Sequence, residues 1–261
     1  MHSASKVLLG STRQGGSGFA KVVSSFADNP ATFKAGLAVR MASTGALSLS
    51  SGSLLGVSLG KSLSDDTRTA VCRKSGGVPL RVMKYYGTVT ITSYANLIDA
   101  GFDEVEVAGV TFVAQAGAAT LGTATFRAAT SNNATATSLA AQINAHETAG
   151  AKVIAVAASA VVHIASIEDN PASAPTLAYS DEGTATVGAT VSGSGTLSTL
   201  AVTRGTPVYV HSSLGKAVAS THTSAVVTNA VYAQDSATLE GVDPDGGSSC
   251  LVAMIDMEGG I

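Results

Sequence analysis

Residues 107–146 read VAGVTFVAQAGAATLGTATFRAATSNNATATSLAAQINAH, and almost every side chain is Ala, Thr, Gly, Val or Ser. The pattern nevertheless changes along the stretch. EVEVA, which begins at Glu104, and VTFVAQA alternate apolar with polar on either side of Ala108-Gly109, which predicts a hairpin. TATFRAAT supplies a further strand. SNNATATSLAAQINAHETAG then turns helical: Leu139 and Ile143 are i,i+4 neighbours, Ala136 and Ala140 extend their stripe, Thr135 is placed as N-cap and Gly150 as terminator. Beyond the helix, AKVIAVAASAVVHIAS reads as a strand pair, and TLAYSD with TVGATVSG completes a sheet for the helix to lie on. A helix face of Ala and Leu can approach a sheet closely, and Thr and Val suit pleated, half-buried surfaces. The composition is architectural and requires no pocket.

Working outward, residues 103–200 are expected to form an inserted α+β domain of β-hairpins plus one helix. On either side lie short alternating runs: GLAVRMAS, GALSLS, SLLGVSLGKSL, RTAVCRK and VPLRVMKYYGTVTIT before it, RGTPVYVHSSLGKAV, AVYAQDS and SCLVAMIDM after it. Strands of that length between Gly, Ser and Asp turns predict a β-barrel or sandwich base built from both chain ends, residues 31–102 with 201–261. Gly36 to Val39 followed by Gly45 resembles Gly205 to Val208 followed by Gly215, a weak pseudo-repeat. Residues 1–30 read as an N-terminal arm. Within it Phe19, Val22, Val23 and Phe26 fall at near-helical spacing and Asn29-Pro30 would stop a short helix, so the arm has one apolar face in need of a neighbour. The expected fold class is therefore mainly β with a small α+β insertion.

The totals exclude several functions. The chain has 261 residues, enough to bury a real core. Charged residues are 13% of it and the formal net charge is -3, with 15 Lys+Arg scattered against 18 Asp+Glu, which argues against nucleic acid as a partner. Aromatics are 5% and Trp is absent, too few rings for a carbohydrate platform. The apolar run Val7–Leu9 is too short for a signal-peptide core and no segment approaches a membrane span, so a soluble product of the cytoplasm with no membrane partner is expected.

Catalytic and metal chemistry finds no foothold. Cys72 and Cys250 are far apart, outside any C-x-x-C pair, and read as buried thiols, with a disulfide within or between chains as the alternative. None of His2, His146, His163, His211 and His222 is at ligand spacing from another; His163 reads as a strand residue, and His211 and His222 bracket a turn where they could face each other without a third ligand. The acidic groups Asp65-Asp66, Asp103-Glu104 with Glu106, Glu168-Asp169, Asp181-Glu182 and Asp243 with Asp245 adjoin turn residues, and DPDGG lacks the ligand alternation of a calcium loop. Gly60-Lys61-Ser62 lacks the spacing of a phosphate loop, and no G-x-S-x-G elbow occurs. The expectation is a protein that is not an enzyme, with no catalytic, cofactor-binding or metal residues and no cofactor.

VEVAGVTFVAQAGAA followed by TATSLAAQINAH resembles an insertion domain common in structural proteins of tailed bacteriophages, over about 100 residues and in the same order of strand, helix and strand. GLAVRMASTGAL, LLGVSLGKS and GTPVYVHSSLGKAV are similar to runs in the small β-barrel of phage head-decoration, or cement, proteins. These resemblances imply a virion protein on the outer capsid surface, made in the host cytoplasm, that bridges major capsid subunits and contacts neighbouring copies of itself as a trimer or dimer. A tail or baseplate component or adhesin would reuse the same inserted domain, and a virion-associated hydrolase would need a convergent acid/base or metal set.

Overall fold

A computed structural model describes residues 21–26, 34, 36–41, 47–50, 53–61, 68–73, 78–99, 101–183, 186–240 and 250–256. The chain divides into two compact units. Residues 1–82, 201–220 and 224–261 make a two-ended unit, and residues 83–200 with 221–223 make a central unit. Both are mainly β, and the described strands lie in open sheets rather than a closed barrel.

Among the described residues, the two-ended unit contains two sheets. β1 (Lys21–Phe26), β2 (Ala38–Met41), β3 (Leu47–Ser48), β4 (Ser53–Lys61) and β5 (Arg68–Arg73) form one, in the order β1-β5-β4-β2-β3. The short helix expected around residues 19–26 is instead strand β1. All six of its residues pair antiparallel with β5, from Lys21 opposite Arg73 to Phe26 opposite Arg68. A helix this short does not hold by itself, whereas a strand has its partner's ladder to complete. The rest of the expected arm, residues 1–20 with His2, lies outside the described residues, as do Asp65, Asp66, Asp243 and Asp245.

The second sheet joins strands from both chain ends. β6 (Val78–Arg81) pairs with a C-terminal strand, Cys250–Asp256, which also pairs with residues 231–232 and 238–240. Pro207–His211 lies antiparallel to Ala225–Tyr232 with a bulge after Pro207. The Ala38 amide donates to the Gly215 carbonyl at 2.7 Å, and the Ala217 amide donates to the Arg81 carbonyl at 2.8 Å. Gly215 has φ +63°, and a Cβ there would lie 2.7 Å from the Ala38 carbonyl oxygen, so this crossing of the two chain ends requires glycine. Gly45, the other end of the pseudo-repeat, lies outside the described residues.

The central unit starts at Met83, so the run VPLRVMKYYGTVTIT is cut in two: β6 stays in the two-ended unit, and β7 (Tyr85–Ile91) belongs to the central one. Residues 83–102, grouped on sequence with the base, pack with the insertion because β7 is hydrogen-bonded between two of its strands. The expected hairpin is β8 (Glu104–Val107) and β9 (Val110–Gln115), in register from Glu104 opposite Val113 to Val107 opposite Val110. Its turn has φ 55° at Ala108 and 83° at Gly109, the left-handed pair of a two-residue hairpin turn. β10 (Thr125–Arg127) runs parallel to β9. Helix α1 (Asn132–Ala145) and the one-turn α2 (Glu147–Gly150) follow, then β11 (Val153–Ala158) antiparallel to β12 (Val161–Ser166).

The single sheet expected beneath the helix is two. β13 (Thr176–Ser180) pairs with β8 in the order β10-β9-β8-β13-β15, where β15 is Gly195–Thr196. β14 (Ala189–Val191) pairs with β7 in the order β11-β12-β7-β14, and β16 (Ser198–Thr199) pairs with the start of β7. The chain crosses between the two sheets after β13, after β14 and after β15, so TLAYSD and TVGATVSG lie in different sheets. The inward faces of both sheets and the helix share one core, including Val89, Val105, Phe112, Phe126, Ile164 and Leu177.

Candidate functional site

The stripe read from the sequence, Ala136, Leu139, Ala140 and Ile143, is buried in that core. The helix cap is one turn earlier than expected. Ser131 is the N-cap, its Oγ accepting from the Ala134 amide at 3.2 Å, and Thr135 is buried with its hydroxyl donating to the Ser131 carbonyl at 2.9 Å. Thr135 failed as a cap because it lies inside the first turn, where its hydroxyl reaches back four residues. Gly150 ends α2, the chain having broken out of α1 at His146.

The polar side chains of α1 serve sheet edges and loops. Asn132 Oδ1 accepts from the Tyr94 amide at 2.8 Å and its Nδ2 donates to the Thr92 carbonyl at 2.9 Å. Ser138 Oγ accepts from the Arg127 amide of β10 at 2.9 Å, and Gln142 Oε1 accepts from the Gly122 amide at 2.9 Å. Asn144 takes both free groups of Ala155 on β11. β10 and β11 are the outer strands of the two sheets on this side, so the helix covers one edge of each with side-chain donors and acceptors. The sequence signal was the unusual density of Asn, Gln and Ser on a helix with few charges; which backbone groups they meet depends on the sheets.

A second polar network lies where β7 ends, with the Thr92 and Ser93 amides donating to the Gly188 carbonyl at 3.0 Å. β7 begins beside β16 and ends at Ile91. Asp103, which precedes β8, is fully buried. Its carboxyl accepts the Tyr179 hydroxyl and the Glu182 amide, the latter at 3.2 Å, and the Tyr179 hydroxyl accepts from the Gly188 amide at 2.9 Å. Asp99 Oδ2 accepts from the Thr186 hydroxyl at 3.0 Å. Burial pushes the Asp103 carboxyl above the usual range against the opposing hydrogen bonds, and neighbouring Asp181 and Asp99 add to it. Burial and the hydrogen bond to Asp103 push the Tyr179 hydroxyl up to about 12. The network ties Glu182 and Gly188 to the start of β8. Phe102 (55% exposed) and Val187 (50%) stand beside it in solvent. Asp103, Asp181 and Glu182 were read as separate turn acids; the structure brings them together around Tyr179, which carried no sequence signal.

The remaining candidates are dispersed. Among the described residues no group of three His, Cys, Asp or Glu is disposed to hold a metal ion. His163 is half-buried on β12, and its ring meets that of His222 at 5.7 Å and 63°. Along β12 it stands between the buried Val162 and Ile164, and residues 221–223 group with the same unit. His211 is buried, with Nδ1 3.2 Å from the Ser213 hydroxyl, and burial lowers its pKa. His146 caps α2 through Nδ1 and meets the Phe112 ring edge-on at 5.6 Å. Cys250 is buried, and Cys72 lies on β5 opposite Val22. Lys61 ends β4. Glu168 and Lys152 line a cleft of about 320 Å³ with the Ala108–Gly109 turn and residues 172–176, where Lys152 Nζ reaches the Ala108 carbonyl at 3.5 Å.

No known protein-family model matches the chain, and no curated protein matches it.

Proposed function

We propose that the chain is a structural virion protein that decorates a phage capsid and stabilises it by bridging major capsid subunits. The observation that carries this reading is the division of labour in the fold. The segment that resembles a phage insertion domain closes its own core between two sheets and a helix, while the two chain ends are stitched together at Ala38–Gly215 and Arg81–Ala217 into a separate unit. A module of that kind can be carried by a base without sharing its core.

Charge is divided in the same way. The central unit holds Lys84, Arg127 and Lys152 against nine Asp and Glu, a formal charge of -6, which leaves +3 of the total of -3 to the two-ended unit. Like charge therefore separates the central units of adjacent copies more strongly than the two-ended units, which carry half that net charge and of the opposite sign. The function is mechanical. Each copy adds an interface of about 1,000 Å² or more per contact, and many copies multiply a modest contribution by avidity. The major capsid protein and further copies of this chain are the partners, on the outer capsid surface.

Co-sedimentation with expanded capsid shells and, separately, with isolated tails tests the proposal. Saturable binding to shells at a fixed ratio to the major subunit is the expected result. Binding to tails alone would replace it with a tail or baseplate role.

A further inference from the structure

β1 is the first of the described strands and stands at one edge of its sheet as described. Among the described strands it is paired along β5 alone. Its neighbour in sequence, β2, lies three strand positions away, with β5 and β4 between them. The chain is anchored again at Gly36, whose amide donates to the Ser58 carbonyl at 2.8 Å, so residues 27–35 alone join β1 to the rest of the sheet.

The geometry of that connection is permissive. Ser58 stands opposite Val71, which stands opposite Val23, so Phe26 is displaced from Gly36 across three strand spacings and along three residues. That is roughly 17 Å, against a reach of about 34 Å for the ten peptide steps between them. The difference leaves about half of that reach as slack. The six-residue register that β1 makes with its own β5 is available, identical, on any other copy, so exchange changes no hydrogen bond. What decides between the two is concentration: a short connection holds its strand at on the order of millimolar, and copies packed side by side present their edges at a similar level.

We propose that β1 is an exchangeable strand, which pairs with its own β5 in dilute solution and with the β5 of an adjacent copy when copies are crowded, linking them in a chain or ring. The setting rests on the decoration reading, but the exchange itself is scored without any shell.

Val22 stands opposite Cys72, which supplies the assay. Equal amounts of isotope-labelled and unlabelled Val22→Cys protein are mixed, oxidised with oxidised glutathione at low micromolar and at millimolar chain concentration, and digested. A disulfide between the introduced thiol and Cys72 is then read by mass spectrometry. Linked peptides of mixed label arise only between chains. The expected result is same-label linkage at low concentration, with the mixed-label share climbing towards about half at high concentration. Same-label linkage at both concentrations would overturn exchange, and so would the absence of this disulfide, which would remove the register on which it rests. Circular dichroism of the variant, and the same mixing read by size-exclusion chromatography of the unsubstituted chain, guard against misfolding: an unsubstituted chain that stays monomeric at millimolar concentration also counts against the proposal.

Discussion

Asn144 holds Ala155 by two reciprocal hydrogen bonds: its Nδ2 donates to the Ala155 carbonyl at 2.7 Å, and its Oδ1 accepts from the Ala155 amide at 2.8 Å. A helix side chain thus occupies the place where another strand would add to β11. Asn144→Ala should lower stability by about 1–3 kcal/mol, read from urea unfolding, because two backbone groups lose their partners. It should also raise self-association, since the opened edge is a template for another strand. Unchanged stability together with unchanged sedimentation would remove the edge-covering role.

Asp103 sets a pH dependence whose direction is fixed. Its pKa is raised in the folded state, so the stability it contributes is fully present below the ordinary carboxylate pKa and is lost as pH rises through the folded value. Asp103→Asn keeps an acceptor for the Glu182 amide and has no charge to bury. The variant should therefore gain on the unsubstituted protein as pH is raised from about 4 towards 7, as measured by chemical unfolding across that range. A difference that stays constant with pH would refute this account.

Tyr179→Phe tests the other half of the same network. Removing the hydroxyl takes a donor from Asp103 and an acceptor from the Gly188 amide, with an expected cost of about 1–3 kcal/mol. Hydrogen exchange should speed up at Gly188 and Glu182 while amides in the middle of β12 keep their protection, because the network fastens those two amides and not the centre of the sheet.

The small side chains of α1 make a two-sided prediction. Leu139 is fully buried, and Leu139→Ala should cost about 2–5 kcal/mol by leaving a cavity. Ala136 is equally buried, and Ala136→Leu should cost about 1–3 kcal/mol by overpacking the close approach of helix to sheets. Thermal unfolding of both variants measures whether Ala at 136 is a requirement of the packing.

Gly215→Ala places a Cβ 2.7 Å from the Ala38 carbonyl oxygen at a left-handed backbone position. Strain of about 1–2 kcal/mol is expected from the conformation alone, with the clash added to it. Exchange should quicken at the Ala38 amide, the partner of the Gly215 carbonyl.

Alternation in EVEVA and VTFVAQA, with Ala108-Gly109 between, determined the hairpin and its register, since a two-residue turn with left-handed φ leaves one way to pair the strands. Leu139, Ile143 and their Ala neighbours likewise determined which helix face is buried. These are local constraints, and a sequence carries them in full. The assignment of β13 and β14 to different sheets, the transfer of β7 to the central unit, and the strand state of residues 21–26 were decided by tertiary structure. The same is true of the meeting of Asp103 with Tyr179. Each depends on a partner far away in the chain, and pairing free energy over such distances outweighs the small conformational preferences that a short run of residues has by itself.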